Sequence, residues 1–435
     1  MNRGLSTFKR YLKYLSYKYI YTYTMTPQFS KASVGFTKNH TKKFLKKHGI
    51  FFTPKSHRDE LLNQIRPFLR DGARILEPSV GSGEFVEDLL SQFESLTLLI
   101  DAIELNEELF DYVNTLEGCT AIHDDFITRP FDSKKKYDII LGNPPYFELT
   151  QNPYASPGER RVLEWSAGVS WNRRTNIYSL FILKSIALLK QGGILAFIIP
   201  PSWMNGKYYE HVRAELSRQG TMLYMADFST INTFMKTQQD TMLFVFQKGG
   251  NSATEDQYKL ILDHKTFYSF HRSDLLKLMR GATTIKQLQT RVRTGPCVWN
   301  QMKDKLSDDP SKGVPLIYSN NIQGRQIVLH DSMSRGKKQY VIANEKQIFQ
   351  HSSIVMNRGF GKGKNYSLEF ALCRLPKYTC ENHTNVIIAP NEEILQLIYN
   401  SLCHPKTKEW CSLFIGNGQL SKTEIEEYLP IFAPN

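Results

Sequence analysis

The feature that most constrains the fold is a regular alternation of strand-like and helix-like segments between residues 59 and 247. Apolar runs of strand length stand at Arg74 to Glu77, Leu96 to Leu105, Tyr137 to Gly142, Ile194 to Pro200, Met222 to Phe228 and Thr241 to Gln247. Helical spacing of apolar residues occurs at 59–70, Phe85 to Phe93 and Ile177 to Lys190, with Gly192-Gly193 expected to end the last helix. This alternation predicts a mostly parallel α/β sheet of Rossmann-like type.

The alternation stops near residue 250, which predicts a division of the chain. Gly249 to Ser252 is typical of an exit from the sheet, and the residues beyond it form short strands and turn clusters around one helix, expected at Phe270 to Arg280. With 435 residues, the chain is long enough for two separate cores. We expect the Rossmann-like domain over 49–250, a linker over 251–289 and a mixed α/β domain over 290–435.

The positive charge is concentrated at the amino-terminal end. Residues 1–58 hold 13 of the 55 Lys and Arg and no acidic residue, so the rest of the chain has 42 residues of each sign. A neutral body excludes a uniformly basic, histone-like protein, although it can still have a basic face. We expect residues 1–48 to be a basic leader. It is either an organellar targeting segment or, as we favour, an untargeted extension, with Met25 as an alternative start.

Composition excludes two further classes. The sequence contains no run of about 18 uncharged apolar residues, so we expect no membrane span. The six cysteines form no CxxC pair, which indicates reduced thiols rather than a zinc site or a disulfide framework. We therefore expect a chain without a metal site.

A glycine-containing loop after the first strand predicts a cofactor site. Gly81 and Gly83 allow the backbone to approach a ligand, while Glu77 disfavours a pyrophosphate and suits a cationic cofactor such as S-adenosylmethionine. Glu104 lies 21 residues beyond Gly83, the distance at which an acid accepts hydrogen bonds from ribose hydroxyls. Asp125-Phe126 offers a carboxylate to an adenine amino group and a ring to its face. In this order the residues favour a cofactor site over an ordinary turn.

The tetrapeptide Asn143-Pro144-Pro145-Tyr146 directly follows the third of these strands. Two prolines fix the backbone and remove two N–H donors, which leaves carbonyl groups able to accept hydrogen bonds from a ligand. The amide oxygen of Asn143 beside such a carbonyl makes a pair of acceptors for an –NH2 group, and the ring of Tyr146 can stack on a flat base. The alternative is a rigid surface turn, which the position after a strand disfavours.

Together these motifs resemble the gamma-class, TaqI-type DNA adenine N6-methyltransferases of restriction–modification systems, which use S-adenosylmethionine. The resemblance runs from about Gly49 to the end of the chain. Further segments that are similar to the family are Gly49 to Pro54, Asn176 to Tyr178, Leu188 to Pro201, Val314 to Ile317, Asn382 to Ile387 and Leu420 to Ile431. The last three resemble the target-recognition domain of the family.

The resemblance implies methyl transfer from S-adenosylmethionine to an adenine flipped out of duplex DNA. The catalytic residues that it implies are Asn143, Pro144, Pro145, Tyr146 and, on spacing alone, Phe234. The cofactor-binding residues that it implies are Phe52, Thr53, Pro54, Glu77, Pro78, Gly81, Gly83, Phe85, Glu104, Asp125 and Phe126.

Two basic loops are candidates for DNA contact, and the alternative for each is a solvated charged loop. The first contains Arg160, Arg161, Arg173 and Arg174 around two tryptophans, and the second contains Arg358, Lys362 and Lys364 between glycines. We expect double-stranded DNA as the partner, with a separately encoded restriction endonuclease as a further candidate. We expect a monomer in the cytoplasm of a bacterial or viral system.

Three other functions share part of this pattern. Protein glutamine methyltransferases also have Asn-Pro-Pro-Tyr, but they are shorter and lack a domain such as 290–435. An RNA adenine N6-methyltransferase would have the same fold and the same pair of acceptors, and is disfavoured by the carboxyl-terminal resemblance. A catalytically silent nucleic-acid-binding subunit would not need Asn143, Glu104 and Gly83.

Overall fold

The computed structural model describes residues 29–132, 134–148, 176–229, 235, 240–249, 256–331, 333–334, 336–361, 365–414 and 419–432. Seven of the predicted site residues lie outside these ranges: Phe234, Arg160, Arg161, Arg173, Arg174, Lys362 and Lys364. The chain divides into two compact units, Met1–Pro200 with Gln219–Ala253, and Pro201–Arg218 with Thr254–Asn435. None of the described helices has the length and apolar composition that crossing a membrane requires.

A seven-stranded sheet forms the centre of the first unit. Its strands are β1 (Arg74–Glu77), β2 (Leu99–Glu104), β3 (Cys119–His123), β4 (Tyr137–Gly142), β5 (Leu189–Ile199), β6 (Gly220–Asp227) and β7 (Met242–Lys248). They lie in the order β3-β2-β1-β4-β5-β7-β6, and β7 runs antiparallel to the other six strands. The predicted Rossmann-like class is confirmed. Because the strand order reverses between β1 and β4, their carboxyl ends open into a crevice.

The described residues of this unit form six α-helices: α1 (Lys31–Asn39), α2 (Lys42–His48), α3 (Lys55–Ile65), α4 (Glu84–Gln92), α5 (Glu107–Val113) and α6 (Tyr178–Leu188). Apolar side chains of α3 and α4, among them Leu61, Phe85 and Leu89, join a core with Ile75, Ile139 and Val245 of the sheet. The burial of these side chains fixes both helices on the sheet, so the loop between β1 and α4 has a defined position.

The leader was expected to extend over residues 1–48, but residues 29–48 are folded onto the first unit. Phe36 of α1 and Leu45 of α2 pack with Phe52 and Leu109 in a small apolar cluster. The backbone N–H of Ser30 donates to Oε1 of Glu84 at 2.6 Å, and the hydroxyl of Ser33 donates to the same atom at 2.9 Å. Residues 29–48 are therefore part of the first unit. Their many lysines had made this segment resemble a basic leader in the sequence.

Gly192-Gly193 does not end a helix, as the sequence had predicted. Helix α6 ends at Leu188, and the glycines lie within β5, where the register with β4 shifts. Gly192 has a φ of 78°, so the glycine permits an irregularity in the strand that a residue with a Cβ would resist.

The second unit contains two four-stranded sheets and short hairpins. Its elements are α7 (Glu210–Gln219, divided from β6 at Arg218), β8 (Lys259–Leu262), β9 (Lys265–Tyr268), α8 (Arg272–Met279), β10 (Thr283–Thr284), β11 (Arg291–Thr294), β12 (Leu306–Ser307), β13 (Val314–Ile317), β14 (Ile322–Gln323), β15 (Gln326–Ile327), β16 (Tyr340–Val341), β17 (Ser353–Asn357), β18 (Phe370–Cys373), β19 (Thr379–Cys380), β20 (Thr384–Ile388), α9 (Glu392–Cys403), α10 (Pro405–Phe414) and β21 (Pro430–Ile431). The sheets have the orders β11-β20-β17-β18 and β12-β16-β13-β19. This mixed α/β composition agrees with the predicted class.

Residues 256–289 are more than the linker that the sequence suggested. The hairpin of β8 and β9 and the helix α8 bury Leu260, Phe267 and Leu275 in the same core as Ile387 and Trp410. This segment is therefore an integral part of the second unit.

Candidate active site

A cleft lies in the first unit at the carboxyl ends of β1 to β4, and its empty volume is about 760 Å³. This volume includes space that is open to solvent. The residues that line it are His48, Gly49, Ile50, Phe51, Phe52, Pro78, Ser79, Gly81, Glu104, Leu105, Asn106, Leu109, Asp124, Asp125, Phe126, Asn143, Pro145, Phe147, Ile177 and Phe181. The cleft thus joins the glycine loop, both predicted acidic positions and the tetrapeptide at one site.

Glu104 is held at the end of β2 by three backbone N–H groups. Its Oε2 accepts from Gly81 at 2.8 Å, and its Oε1 accepts from Leu105 at 3.0 Å and Asn106 at 2.8 Å. Burial raises the pKa of Glu104 to about 7, although these hydrogen bonds and His123 oppose the change. The bond to Gly81 connects the acid directly to the glycine loop.

Glu77 is a buried carboxyl with an unsatisfied oxygen. Its Oε2 has no hydrogen-bond partner among the described residues, and its side chain is 1% exposed. Burial, and then the nearby Glu104, raise the pKa of Glu77 well above its ordinary value, while Arg58 opposes this. This buried oxygen could accept a hydrogen bond from a ligand.

The charges around the cleft test whether a cationic cofactor fits. The lining side chains include the acids Glu104, Asp124 and Asp125, whereas neither lysine nor arginine occurs among the described residues that line it. With the unsatisfied oxygen of Glu77 behind the wall, this site favours a positively charged ligand. These residues fit S-adenosylmethionine, whose sulfonium and amino groups are cationic.

Asp125 and Phe126 lie on the wall of the cleft that follows β3. Phe126 packs against Phe181 with ring centroids 4.9 Å apart. Lys184 of α6 braces this loop, because its Nζ donates to the carbonyls of Ile127 and Arg129 at 2.7 Å each and lies 5.3 Å from the centroid of Phe126. Burial raises the pKa of Asp125.

The side chain of Asn143 is fixed by two hydrogen bonds. Its Nδ2 donates to the carbonyl of Phe51 at 2.8 Å and to Oγ1 of Thr53 at 3.0 Å. Its Oδ1 and the carbonyl oxygen of Ile198 are both acceptors within reach of the hydroxyl of Tyr146, so they share its single hydrogen. The amide therefore presents its oxygen, and not its nitrogen, on the side that faces away from Phe51 and Thr53.

Tyr146 is largely enclosed. It is 7% exposed, and its ring stacks on that of Phe51 with centroids 5.6 Å apart and planes inclined by 21°. Burial raises the pKa of its hydroxyl well above the ordinary value, so the hydroxyl remains a hydrogen-bond donor. Because Phe51 covers one face of the ring, stacking on a base can use only the other face.

Besides Glu77, four predicted cofactor residues are not among the described residues that line the cleft, namely Thr53, Pro54, Gly83 and Phe85. Thr53 bonds to Asn143, and Pro54 precedes α3. Gly83, with a φ of 81°, packs against Leu116, and Phe85 lies in the core of the sheet. Their structural positions are behind the wall rather than on it, and Glu77 shares this position.

Sequence reasoning missed several apolar residues of the wall, among them Leu109, Phe147, Ile177 and Phe181. Ile177 precedes α6 and Phe181 lies on it, and this helix is apolar on nearly all sides. Its sequence therefore gave no signal as to which side faces a ligand.

Among the predicted DNA contacts, Arg358 lies within the described residues. Its guanidinium donates to the carbonyl of Asn382 at 2.6 Å, and its own carbonyl accepts from Leu420 at 2.7 Å. The neighbouring Phe360 is 56% exposed. The loop thus begins from an anchored arginine and presents an aromatic ring to solvent.

Comparison with known proteins gives consistent results. Residues 28–234 match the family described as Eco57I restriction-modification methylase. The type II methyltransferase M.CvrRI of Paramecium bursaria Chlorella virus XZ-6E is 27% identical over 406 residues, which cover 93% of this chain and 99% of that protein. The modification methylase CviBIII of Paramecium bursaria Chlorella virus NC1A is 25% identical over 411 residues, with coverages of 93% and 99%. The family match begins 21 residues before Gly49, in agreement with the position of α1 and α2.

Among solved structures, the DrdV–DNA complex determined by cryo-electron microscopy is similar to this chain with a TM-score of 0.51. The identity is 12%, and the similarity covers 92% of this chain and 57% of that chain. At this identity the similarity concerns the fold alone.

Proposed function

We propose that the chain, of which residues 28–234 match the Eco57I family of restriction–modification methylases, is a site-specific DNA adenine N6-methyltransferase of the gamma class. The observation that supports this most directly is the fixed amide of Asn143, whose oxygen is an acceptor at the wall of a cleft suited to a cationic cofactor. The similarity to type II methyltransferases over 93% of the chain supports DNA as the substrate.

S-adenosylmethionine is the methyl donor of this family, and when bound it supplies a methyl group activated by a sulfonium. In this chain Glu104 would hold the ribose hydroxyls, and Asp125 with Phe126 would hold the adenine. Glu77 places a carboxyl close behind the wall, and the cationic part of the ligand would favour the charged form of this carboxyl. The apolar side chains of Ile177 and Phe181 exclude water from the same cleft.

Asn143 would orient and activate the target base. The N6 nitrogen of adenine is a poor nucleophile because its lone pair is delocalised into the ring. Hydrogen bonds from this amino group to Oδ1 of Asn143 and to the carbonyl of Pro144 would favour a pyramidal nitrogen. These directed hydrogen bonds and the positioning of the base are the contribution of the protein to catalysis. Tyr146 and Phe234 would stack on the flipped base.

Replacement of Asn143 by alanine tests this proposal. We expect Asn143→Ala to lower methyl transfer by at least about 100-fold while DNA binding is retained, because only the acceptor for the amino group is removed. The measurement is the transfer of labelled methyl groups to duplex DNA, RNA and protein, together with DNA affinity. Asn114→Ala, at the exposed end of α5, is the matched control.

Two outcomes would contradict the proposal. If Asn143→Ala methylates DNA at the wild-type rate, the catalytic role of the residue is wrong. If the wild-type protein transfers methyl groups only to RNA or to protein, the DNA substrate is wrong.

The remaining parts of the proposal concern partners and location. Double-stranded DNA would bind through residues 290–435 as the target-recognition domain, and through the basic residues 160, 161, 173, 174, 358, 362 and 364. A separately encoded restriction endonuclease would share the recognition sequence. The protein would act as a monomer in the cytoplasm of a bacterial or virus-infected cell, since its relatives are bacterial and viral methyltransferases.

A further inference from the structure

We propose that Thr53 is a positioning residue that, together with the carbonyl of Phe51, sets the orientation of the Asn143 amide. The sequence had suggested a contact between Thr53 and the cofactor. The structure instead connects its hydroxyl to the side chain of Asn143 at 3.0 Å. This inference rests on the proposed function, because it assigns a role in presenting the catalytic acceptor.

The carbonyl of Phe51 decides which end of the amide faces it. A carbonyl oxygen only accepts hydrogen bonds, so the atom of Asn143 that lies 2.8 Å from it must be the amide nitrogen. The second hydrogen of that nitrogen is directed to Oγ1 of Thr53. With both N–H groups engaged, the oxygen of the planar amide points to the opposite side.

The hydroxyl of Tyr146 is consistent with this orientation. Its single hydrogen is shared between Oδ1 of Asn143 and the carbonyl of Ile198, both of which are acceptors. An amide oxygen has two lone pairs, so one remains for an amino group of a substrate. A rotation of the amide by 180° would direct N–H groups toward the substrate amine, which is itself a donor, and would remove the acceptor.

Thr53 is itself held in place. It is 4% exposed and is absent from the described residues that line the cleft. Its backbone carbonyl accepts from Nη1 of Arg58 at 2.5 Å, and Arg58 is paired with Asp88 at 2.6 Å and with Glu84 at 3.2 Å. These ionic groups are buried, so the pairs resist solvent screening. The hydroxyl is therefore a fixed acceptor behind the amide.

This position separates two roles that kinetics can distinguish. A residue that contacts the cofactor affects its affinity, whereas a residue that orients Asn143 affects the rate at saturating cofactor. Loss of one hydrogen bond to the amide would allow it to rotate or to sample other positions. We expect a decrease in rate without a change in the affinity for S-adenosylmethionine.

The experiment compares Thr53→Val with Thr53→Ser. Valine has nearly the shape of threonine without the hydroxyl, and serine retains the hydroxyl. For Thr53→Val we expect a fall of about 10-fold in the single-turnover rate of DNA methylation. The dissociation constants of S-adenosylmethionine and DNA should change by less than about twofold. For Thr53→Ser we expect a rate close to that of the wild type.

A third variant covers the case in which Thr53→Val does not fold. Thr53→Cys has the size of serine with a poor hydrogen-bond acceptor, and should give the same loss of rate at unchanged cofactor affinity. The inference is overturned if Thr53→Val or Thr53→Cys weakens cofactor binding and keeps the saturated rate, or if the rate and both affinities are unchanged. Failure of the proposed function has a different signature, since the wild-type protein would then methylate no DNA at all.

Discussion

At the scale of single residues, the electrostatics of the cleft depend on Glu77 and Glu104. A buried carboxyl is costly to ionise unless a cation or several hydrogen bonds compensate it. Glu104 has three backbone N–H donors, and its pKa is nevertheless raised to about 7 by burial. Glu77 has one oxygen without a partner among the described residues. A cationic ligand bound in the cleft would therefore stabilise both carboxylates in the charged form.

The raised pKa of Glu104 predicts how cofactor affinity depends on pH. Below about pH 7 the carboxyl is mostly protonated, so binding of a cationic ligand requires loss of a proton. The dissociation constant of S-adenosylmethionine should therefore fall about tenfold as pH rises from 6 to 8. The raised pKa also affects the stability of the protein without cofactor. Protonated Glu104 stabilises the folded state at acidic pH, and this contribution is lost as pH rises through about 7. Equilibrium binding across this range measures the first effect.

Glu104→Gln is the control for this titration. The amide is nearly isosteric and has no charge to gain, so its cofactor affinity should be low at pH 8 and should lack the step near pH 7. A wild-type affinity that is constant between pH 6 and pH 8 would show that Glu104 does not titrate with ligand binding.

At the scale of elements, the turn between α2 and α3 is packed directly against the catalytic tetrapeptide. Gly49 ends α2 with a φ of 68°. A Cβ at this position would lie 2.8 to 2.9 Å from Phe147, Pro145 and the backbone nitrogen of Tyr146. The glycine is therefore required both by its left-handed conformation and by the close approach of the tetrapeptide.

The comparison of Gly49→Ala with Gly72→Ala separates the effect of the close contact with the tetrapeptide from the effect of the left-handed conformation. Gly72 has a φ of 71° and open space around the position of a Cβ, so alanine there should cost only the left-handed strain of about 1–2 kcal/mol. Gly49→Ala should cost about 1–3 kcal/mol more in the free energy of unfolding, because the loop must move. It alone should also slow methyl transfer. Denaturant unfolding and methylation rates measure both effects, and equal results for the two variants would contradict the role of the contact.

Elements with strong periodicity were predictable from the sequence, and packing relations between them were not. β1 and β4 have the predicted bounds, and the acids and the tetrapeptide follow the expected strands, because the carboxyl ends of parallel strands are where a ligand site forms. The role of Thr53 was not predictable, since it depends on the contact with a residue 90 positions away. The glycines of β5 were misassigned because a strand irregularity and a helix stop have the same local sequence signal.

At the scale of the whole molecule, part of the basic amino-terminal segment belongs to the first folded unit, which the charge distribution in the sequence had not indicated. The basic amino-terminal segment is divided near residue 28, because α1 and α2 belong to the first unit in spite of their lysines. Ser33 connects α1 to Ser82 and Glu84 through buried hydrogen bonds. The segment that can be considered a separate leader therefore contains fewer of the cations than the sequence suggested.

Two truncations distinguish these parts of the chain. A protein that begins at Met25 retains α1 and α2, so we expect its melting temperature and methylation rate to equal those of the full chain. It lacks Arg3, Lys9, Arg10, Lys13 and Lys18. If these cations contact phosphates, the loss of each contact should reduce the salt dependence of DNA binding by about one unit in the logarithmic slope. A protein that begins at Gly49 after an initiating methionine lacks both helices. The truncation exposes Phe52 and Leu109 and removes the hydrogen bonds that Ser30 and Ser33 donate to Glu84. We expect this second protein to lose cofactor binding and to melt at a lower temperature, and wild-type cofactor binding by it would show that α1 and α2 are dispensable.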